Sequence, residues 1–267
     1  MFKTKEELHK ANATFDKEKL SDQYAPVDTP ILLMPFTNNG WYVHKHRKAF
    51  NNKGLGTEQI TLRNDNYTYP TGDFLTIEAL NSNNGTTSLM LMGGYGRVVC
   101  SNGLVIGDIE NGRFVHRGRS IYEKLENQYE KIVAHLDIIK SNVDKLKNTD
   151  LTAEQCLEAI ELVAKGTFNS ESTKKKIEFV DFGYNTLRNL TRVRREGDNF
   201  SDAFTVMNRV QEAILRRGVL TVKIKETNKE TGEERFRFST KRPMEHKVTS
   251  QVTMNKLITD SFLKVVA

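Results

Sequence analysis

The sequence has 267 residues, of which 37% are hydrophobic and 28% charged, and its formal net charge is +6. This composition excludes a disordered chain and is typical of a globular protein. No apolar run approaches the roughly 20 residues that a transmembrane helix needs, and the charged N-terminal segment lacks the apolar core of a signal peptide. Two cysteines are too few for a disulfide framework. These features predict a reduced, cytoplasmic protein with no membrane partner.

The net positive charge lies in one segment. Residues 188–247 contain 15 Lys/Arg and 9 Asp/Glu, a balance that accounts for the whole charge of +6. Because a concentrated positive field attracts polyanions, this segment favours a polyanionic partner. A well-solvated surface is the alternative interpretation.

The first part of the chain is predicted to be rich in β-structure. Residues 1–20 are interpreted as a polar arm, and 21–36, which contain three of the five prolines, as a loop. Residues 40–50 predict an edge strand. Asn-Gly pairs then favour tight turns, since such turns need positive φ. The predicted strands are 74–80, 86–92 and 95–100, and the predicted turns are 81–85, Asn102-Gly103 and Asn111-Gly112. Together they indicate an antiparallel meander of four or more strands.

The second part is predicted to be mainly helical. In residues 120–147 apolar positions alternate in spacing between four and three, which marks one face of a helix about 40 Å long. That face would lie across the sheet or form an oligomer seam. Thr152 and Gln155 form a capping box for the next helix, which Gly166 is placed to end. Residues 170–197 are polar and are predicted to be partly helical.

Three more elements close the chain, and no internal repeat or long linker divides it. They are a helix from Ser201 to Gly218, a hairpin of residues 219–226 and 234–240, and a helix over 250–265. We therefore predict one α+β domain, an antiparallel β-meander backed by a long helix, with a second basic β-hairpin and a C-terminal helix. Its parts are 1–20 (polar N-terminal arm), 21–118 (β-rich part), 119–217 (helical part) and 218–267 (hairpin plus helix).

No catalytic residue, metal site or cofactor is predicted. Cys100 has no histidine nearby in sequence and alternates with apolar neighbours, so we interpret it as a buried structural residue. His44 and His46 are too few to hold a metal and are assigned to a basic surface strand. Glycine-rich residues 93–97 join two predicted strands, whereas a phosphate-binding loop precedes a helix, so we interpret them as a bend or bulge in the sheet.

The C-terminal hairpin carries the main candidate site. Its strands alternate cations with apolar residues, so we predict that Lys223, Lys225, Arg235 and Arg237 share one face and that Phe236 and Phe238 lie on the apolar face. A ribbon with four cations on one face suits contacts to phosphates. Cations that only keep an edge soluble are the alternative. The flanking candidates are Arg216, Arg217, Lys241 and Arg242.

A second candidate contact lies in residues 41–50. Trp41 precedes the cations Lys45, Arg47 and Lys48, a mixture that single-strand binders use to stack bases and attract phosphates. A core position for Trp41 is the alternative.

Several motifs, in this order, resemble a family of phage- and plasmid-encoded proteins catalogued as a domain of unknown function. They are Ser21, Tyr24, Val27 and Thr29; the Gly40-Trp41 region; the turn Asn81-Ser82-Asn83-Asn84-Gly85; Arg97, Val99, Cys100, Asn102, Gly103 and Leu104; and Gln211, Glu212, Arg217 and Gly218. The family usually has His-Asp where this chain has Asn83-Asn84, which fits a turn in both versions. The resemblance implies a bacterial host cell and a role in the DNA metabolism, replication or counter-defence of mobile elements. The architecture also resembles Rad-type single-strand annealing proteins of phages.

These observations lead to two functional hypotheses. The first is a non-enzymatic phage or plasmid protein that binds single-stranded DNA; in its more specific form, an oligomer such as a ring or filament anneals strands in recombination. The alternative is a protein-interaction module, such as an inhibitor of a host defence complex, that docks through the helix at 120–147.

Overall fold

The computed structural model describes residues 20, 24, 27–50, 56–70, 72–97, 100–105, 113–115, 128–194, 196, 200–242 and 248–267. These residues form helices and antiparallel sheets, which confirms the α+β class. The chain divides into two compact units, Met1–Lys140 and Ser141–Ala267. Each unit has its own antiparallel sheet. The expectation of a single domain stays a prediction, and the predicted arm falls almost wholly outside the described residues.

The first unit contains the predicted meander. The strands are β1 (Tyr42–Phe50), β2 (Gly56–Thr68), β3 (Phe74–Ser82), β4 (Leu89–Arg97), β5 (Cys100–Val105) and β6 (Arg113–Phe114). Their order in the sheet is β1-β2-β3-β4-β5, and β6 pairs with β4. Among the described strands β1 pairs only with β2, which confirms the predicted edge strand.

The sequence interpretation missed two elements of this unit. Strand β2 was not predicted, although polar residues alternate in it with buried Ile60 and Leu62. The predicted proline-rich loop instead contains helix α1 (Thr29–Thr37), with Pro30 in its first turn and Pro35 inside it. A proline is tolerated in the first turn, and burial of the apolar side chains stabilises α1 despite Pro35.

The predicted turn at Asn102-Gly103 was wrong, because these residues lie inside β5. Residues 93–97 lie within β4 rather than between two strands, although the pairing of β4 with β5 shifts register between Tyr95 and Arg97, as at a bulge. Arg97 pairs with Cys100, so the chain has reversed before it reaches the Asn-Gly pair. In β4 the glycine at 96 makes room for a neighbour, because a Cβ there would overlap the Phe74 ring. The Cys100 side chain and the Asn111-Gly112 turn lie outside the described residues.

One side of the first sheet is an apolar core. Leu62, Ile77 and Ala79 are fully buried there. The segment before α1 is tied to β3, because Asn81 donates a hydrogen bond of 2.8 Å to the carbonyl of Val27. On α1, Phe36 makes an edge-on ring contact with Tyr129.

The predicted long helix is confirmed as helix α2 (Gln128–Lys147), and its earlier part lies outside the described residues. Its apolar positions are buried, namely Ile132, Leu136, Ile139, Val143 and Leu146. This face therefore belongs to the core and is not free to act as an oligomer seam or a docking face.

The second unit combines four strands with four helices among the described residues. The strands are β7 (Ser170–Glu171), β8 (Lys175–Phe182), β9 (Thr221–Asn228) and β10 (Glu234–Thr240), in the order β10-β9-β8-β7. The helices are α3 (Ala153–Phe168), α4 (Thr186–Thr191), α5 (Ala203–Glu212), which continues as a π-helical turn over Ala213–Arg217, and α6 (Val248–Val265). Strands β9 and β10 confirm the predicted hairpin. Residues 170–197 are partly helical, as predicted, because they contain α4, but β7 and β8 precede it as strands that were not predicted.

Local signals at the helix ends were mostly informative. Thr152 and Gln155 form the predicted capping box of α3. Gly218 follows the π-helical turn with a φ of +58°, which favours glycine. Gly166 does not end α3 but lies inside it, where a Cβ would overlap the Leu257 side chain of α6.

Candidate nucleic-acid interface

The register of the β9–β10 hairpin separates the four predicted cations. Lys223 is opposite Phe238 and Lys225 is opposite Phe236, whereas Arg237 is opposite Ile224. Residues that are directly opposite in an antiparallel pair point to the same face. The prediction that the two lysines and two arginines share one face was therefore wrong: the lysines share a face with the phenylalanines.

The two phenylalanines are not core residues. Phe236 is 55% exposed and Phe238 is 66% exposed, while Val222 and Ile224 fill the apolar side of the hairpin. The rings project from the same face of β10, two residues and therefore about 7 Å apart along the strand. The prediction that they join the apolar face was wrong, because the register places Phe236 and Phe238 opposite the two lysines of β9 and not opposite its apolar residues.

The face that carries the rings is electrostatically balanced. Lys225 pairs with Glu234 at 2.6 Å, and Lys176 pairs with Glu178 at 2.9 Å. The Lys223 ammonium lies 5.1 Å from the centre of the Phe236 ring, a cation–π distance. We call Phe236, Phe238, Lys223 and Lys225 the aromatic face. It offers two open rings and two lysines held close to them.

The two arginines lie on the opposite face and converge on one acid. Glu226 Oε2 is 2.6 Å from Arg235 Nη2 and 3.3 Å from Arg237 Nε, and Glu226 Oε1 is 2.7 Å from Lys175 Nζ. Hydrogen bonds from Lys175 and Arg235, the largest causes, hold the pKa of Glu226 down at about 2. Lys175 is a member of this cluster that the sequence interpretation missed, because its strand was not recognised.

The flanking candidates lie close to the hairpin in sequence and differ in exposure. Arg217 and Arg242 are exposed, while Arg216 and Lys241 are half-buried. The backbone N–H of Lys241 donates to the carbonyl of Leu220 at 3.0 Å, which continues the hairpin by one residue.

In the second predicted contact, residues 41–50, the tryptophan is buried. Trp41 is only 2% exposed and stacks on Tyr67 with ring centres 5.1 Å apart, so it is a core residue and cannot stack on a base. Its cations lie on β1 in the first unit, whereas the hairpin belongs to the second. Lys45 and Arg47 are opposite Thr61 and Gln59, and Lys48 points to the other face, opposite Glu58.

The two histidines of β1 have different surroundings. The His44 ring packs edge-on against Phe74 at 5.2 Å. His46 Nε2 is 2.8 Å from Glu58 Oε2, and Glu58 also accepts a hydrogen bond from Thr29. These contacts fit the interpretation of a surface strand rather than a metal pair.

A buried carboxyl group of the first sheet was missed by the sequence interpretation. Glu78, in the middle of β3, is 2% exposed and accepts hydrogen bonds from Thr61 (2.9 Å) and Gln59 (3.1 Å). Burial raises its pKa to about 7, against the opposing influence of the two hydrogen bonds and of Arg47 and Lys45. Its position in FLTIEAL, on the face opposite Ile77, was the only sequence signal.

Comparisons with known proteins identify the family. The family model described as Domain of unknown function (DUF932) matches residues 39–253. The chain belongs to the DUF932 family. This DUF932 chain is also similar to the UPF0380 protein YafZ of Escherichia coli (strain K12), with 28% identity over 144 residues.

The similarity to YafZ covers 52% of this chain and 48% of YafZ, so the chain spans about half the length of that relative. No solved structure matches this chain. Within the described residues, no helix is both long enough and apolar enough to cross a bilayer.

Proposed function

We propose that this DUF932 protein binds single-stranded DNA through β10. The observation that carries the proposal is the pair of exposed rings, Phe236 and Phe238, on one side of a strand that pairs only with β9 among the described strands. Exposed neighbouring phenyl rings are unusual on a monomer surface and suggest a binding site. Bases stack on aromatic side chains without sequence preference, so the rings suit a single strand, whose bases are unpaired.

The charges beside the rings support the same ligand. Lys223 and Lys225 of β9 lie opposite the rings, and Arg235 and Arg237 alternate with the rings along β10, so β10 carries cations at two alternate positions. A single strand running beside β10 would place bases on the rings and phosphates near the guanidinium groups. Arg217, Lys241 and Arg242 extend the positive charge from the hairpin ends.

A wider biological role follows as part of this proposal. The sequence motifs favour a protein of phages or plasmids, and the likeness of the predicted architecture to Rad-type annealing proteins stays part of this proposal. We therefore place the protein in the cytoplasm of a bacterial host, in the recombination of mobile-element DNA, with no catalytic step of its own. Lys45, Arg47 and Lys48 of β1 remain a proposed second contact to phosphates.

Binding of labelled oligothymidylate, followed by fluorescence anisotropy, tests the function. Stacking contributes about 1–3 kcal/mol per base, so we expect Phe236→Ala and Phe238→Ala each to weaken binding by about tenfold. Because the rings are exposed, both variants should keep the wild-type circular dichroism spectrum. Tyr184→Ala, which removes a ring that is 95% exposed elsewhere in the same unit, is the control and should bind as the wild type does.

The outcome that contradicts the proposal is equally clear. Wild-type protein that fails to bind at about 50 mM salt, or whose affinity does not fall as salt rises, does not use phosphate contacts. Equal affinities of the phenylalanine variants and the Tyr184→Ala control would show that DNA binds elsewhere.

The alternative function, a protein-interaction module such as an inhibitor of a host defence complex, rests on the same strand. The buried side of α2 cannot serve as its docking face, but β10 offers exposed rings and an open strand edge to an extended segment of a partner. A host protein that the wild type retains from a lysate and the Phe236→Ala variant does not, together with no affinity for DNA, would favour this function.

A further inference from the structure

Three cations from two strands meet around one buried carboxylate of a third strand. Lys175 of β8 and both arginines of β10 contact Glu226 of β9, at 2.6–3.3 Å. Glu226 is only 5% exposed, whereas the side chains of Lys175, Arg235 and Arg237 are about half exposed. We call these four residues the Glu226 cluster. Its acid is enclosed, and its cations reach the surface.

The Glu226 cluster has two positive charges in excess. The pKa of Glu226 is held at about 2, so the acid stays ionised at every physiological pH and the excess does not vary. Three other acids of this sheet are engaged with other lysines: Glu171 with Lys229, Glu178 with Lys176 and Glu234 with Lys225. Asp181 of β8 lies opposite Lys223, on the aromatic face. The aromatic face is thus balanced, while the Glu226 cluster is strongly positive.

The carboxylate also orients the donors of the cluster. A guanidinium group has five N–H donors in a fixed plane. Glu226 binds Nε and one Nη of Arg235, and Nε of Arg237. Held from this inner side, each guanidinium presents its outer N–H groups to solvent. An oriented pair of guanidinium groups and an ammonium group match the several oxygens of a phosphate.

We propose that the Glu226 cluster is a phosphate-binding site, which binds one phosphate group of a single-stranded DNA that runs along β10. This inference rests on the proposed function, because the same DNA strand would contact two faces of β10. Its bases would stack on the aromatic face and one of its phosphates would bind the Glu226 cluster. Glu226 acts as a positioning residue that holds the two arginines in place. A free phosphate ion offers the same oxygens, so the backbone and the ion are the two possible sources of the ligand.

An abasic oligonucleotide, a single strand of deoxyribose and phosphate without bases, is the probe that isolates this site, since it cannot stack on the rings. We expect the wild type to bind the abasic oligonucleotide. We expect Arg237→Gln and Lys175→Gln each to weaken this binding by about tenfold. Each variant should also reduce the slope of log affinity against log salt by about 0.7, the contribution of one phosphate contact on a single strand. Lys229→Gln is the matched control, because it removes one charge outside the cluster, from the turn that follows β9.

Competition by inorganic phosphate separates the two sources. If inorganic phosphate displaces the abasic oligonucleotide from the wild type, the result supports the site. If phosphate binds and the abasic oligonucleotide does not, the ligand of the site is the free ion. Equal affinities and salt slopes of Arg237→Gln, Lys175→Gln and Lys229→Gln overturn the inference. Arg235→Gln is a second test if one variant loses its circular dichroism spectrum.

The failure of this inference is distinguishable from the failure of the proposed function. If Phe236→Ala weakens oligothymidylate binding while the cluster variants bind the abasic strand as the wild type does, the function stands and the phosphate site falls. If the cluster variants weaken binding of the abasic strand while Phe236→Ala leaves oligothymidylate binding unchanged, the phosphate site stands and base stacking falls.

Discussion

Glu78 shows how a single residue can set the pH dependence of a whole sheet. The carboxyl group lies in the middle of β3 with two hydrogen-bond donors, Thr61 and Gln59, and burial raises its pKa from 4.5 to about 7. A raised pKa means that the folded protein binds a proton that the unfolded chain has released. The contribution to stability is therefore complete below pH 4.5, falls as pH rises towards 7 and is lost above it.

We predict that Glu78→Gln removes this pH dependence. A pKa difference of this size corresponds to about 3 kcal/mol, so the wild type should lose about that much unfolding free energy relative to the variant between pH 4.5 and 8. The variant should be the more stable protein at pH 8, because it buries no charge. Trp41, the only tryptophan, is buried in the same unit, so its fluorescence reports the urea unfolding of this sheet. Parallel pH profiles for the two proteins would contradict the prediction.

Glycine at position 96 illustrates a residue whose role depends on a distant neighbour. In the sequence it looks like part of a glycine-rich bend or bulge, and in the structure it lies within β4 against Phe74. The ring of Phe74 is covered in turn by the Arg63 guanidinium, 4.3 Å from its centre. The missing side chain therefore serves packing rather than flexibility, which residue composition alone does not reveal.

At the scale of the element, patterns within one segment were reliable, and pairings between segments were not. The spacing of apolar residues predicted α2, and the alternation in β9 predicted which of its residues are buried. Alternation cannot tell which residue of β10 lies opposite Lys223. A shift of one residue exchanges the two faces of a strand, and this hairpin has the register that separates the lysines from the arginines.

The capping box of α3 leads to a prediction about this element. Thr152 accepts a hydrogen bond from the backbone of Gln155, whose side chain in turn accepts one from the backbone N–H of Thr152. We predict that Thr152→Ala lowers the unfolding free energy by about 1 kcal/mol, measured by urea unfolding with circular dichroism. Thr152→Ser keeps the hydroxyl group and should recover most of the loss. Equal stabilities of the alanine and serine variants would exclude a capping role.

At the scale of the whole molecule, the two units raise the question of cooperativity. Helix α2 begins in the first unit and ends in the second without a break in its helical structure. Because helix formation is cooperative along the chain, we expect the two halves of α2 to unfold together.

We predict that the chain unfolds in one transition. Urea unfolding followed by Trp41 fluorescence, which reports the first unit, should have the same midpoint as unfolding followed by circular dichroism, which reports the helices of both. Two separate midpoints, with Trp41 changing in only one of them, would contradict the prediction and the expectation of a single domain.

The sequence by itself determined the features that depend on neighbours along the chain. It predicted the α+β class, the meander, the long helix, the C-terminal hairpin and the capping box, because periodicity and capping are local properties. It missed α1, because prolines are unfavourable in helices, and β8, because its charged residues hid the strand pattern; packing stabilises both elements. In the candidate site, Lys223, Lys225, Arg235 and Arg237 were found, but their arrangement was not.

Only the tertiary structure decided which side chains meet. It placed Trp41 in the core, brought Phe236 and Phe238 to the surface, and gathered Lys175 and two arginines around Glu226. The physical reason is that strand register and the covering of each face are set by contacts between segments far apart in sequence. The sequence showed which segment carries the positive charge. The fold determined which side chains lie next to each lysine and arginine.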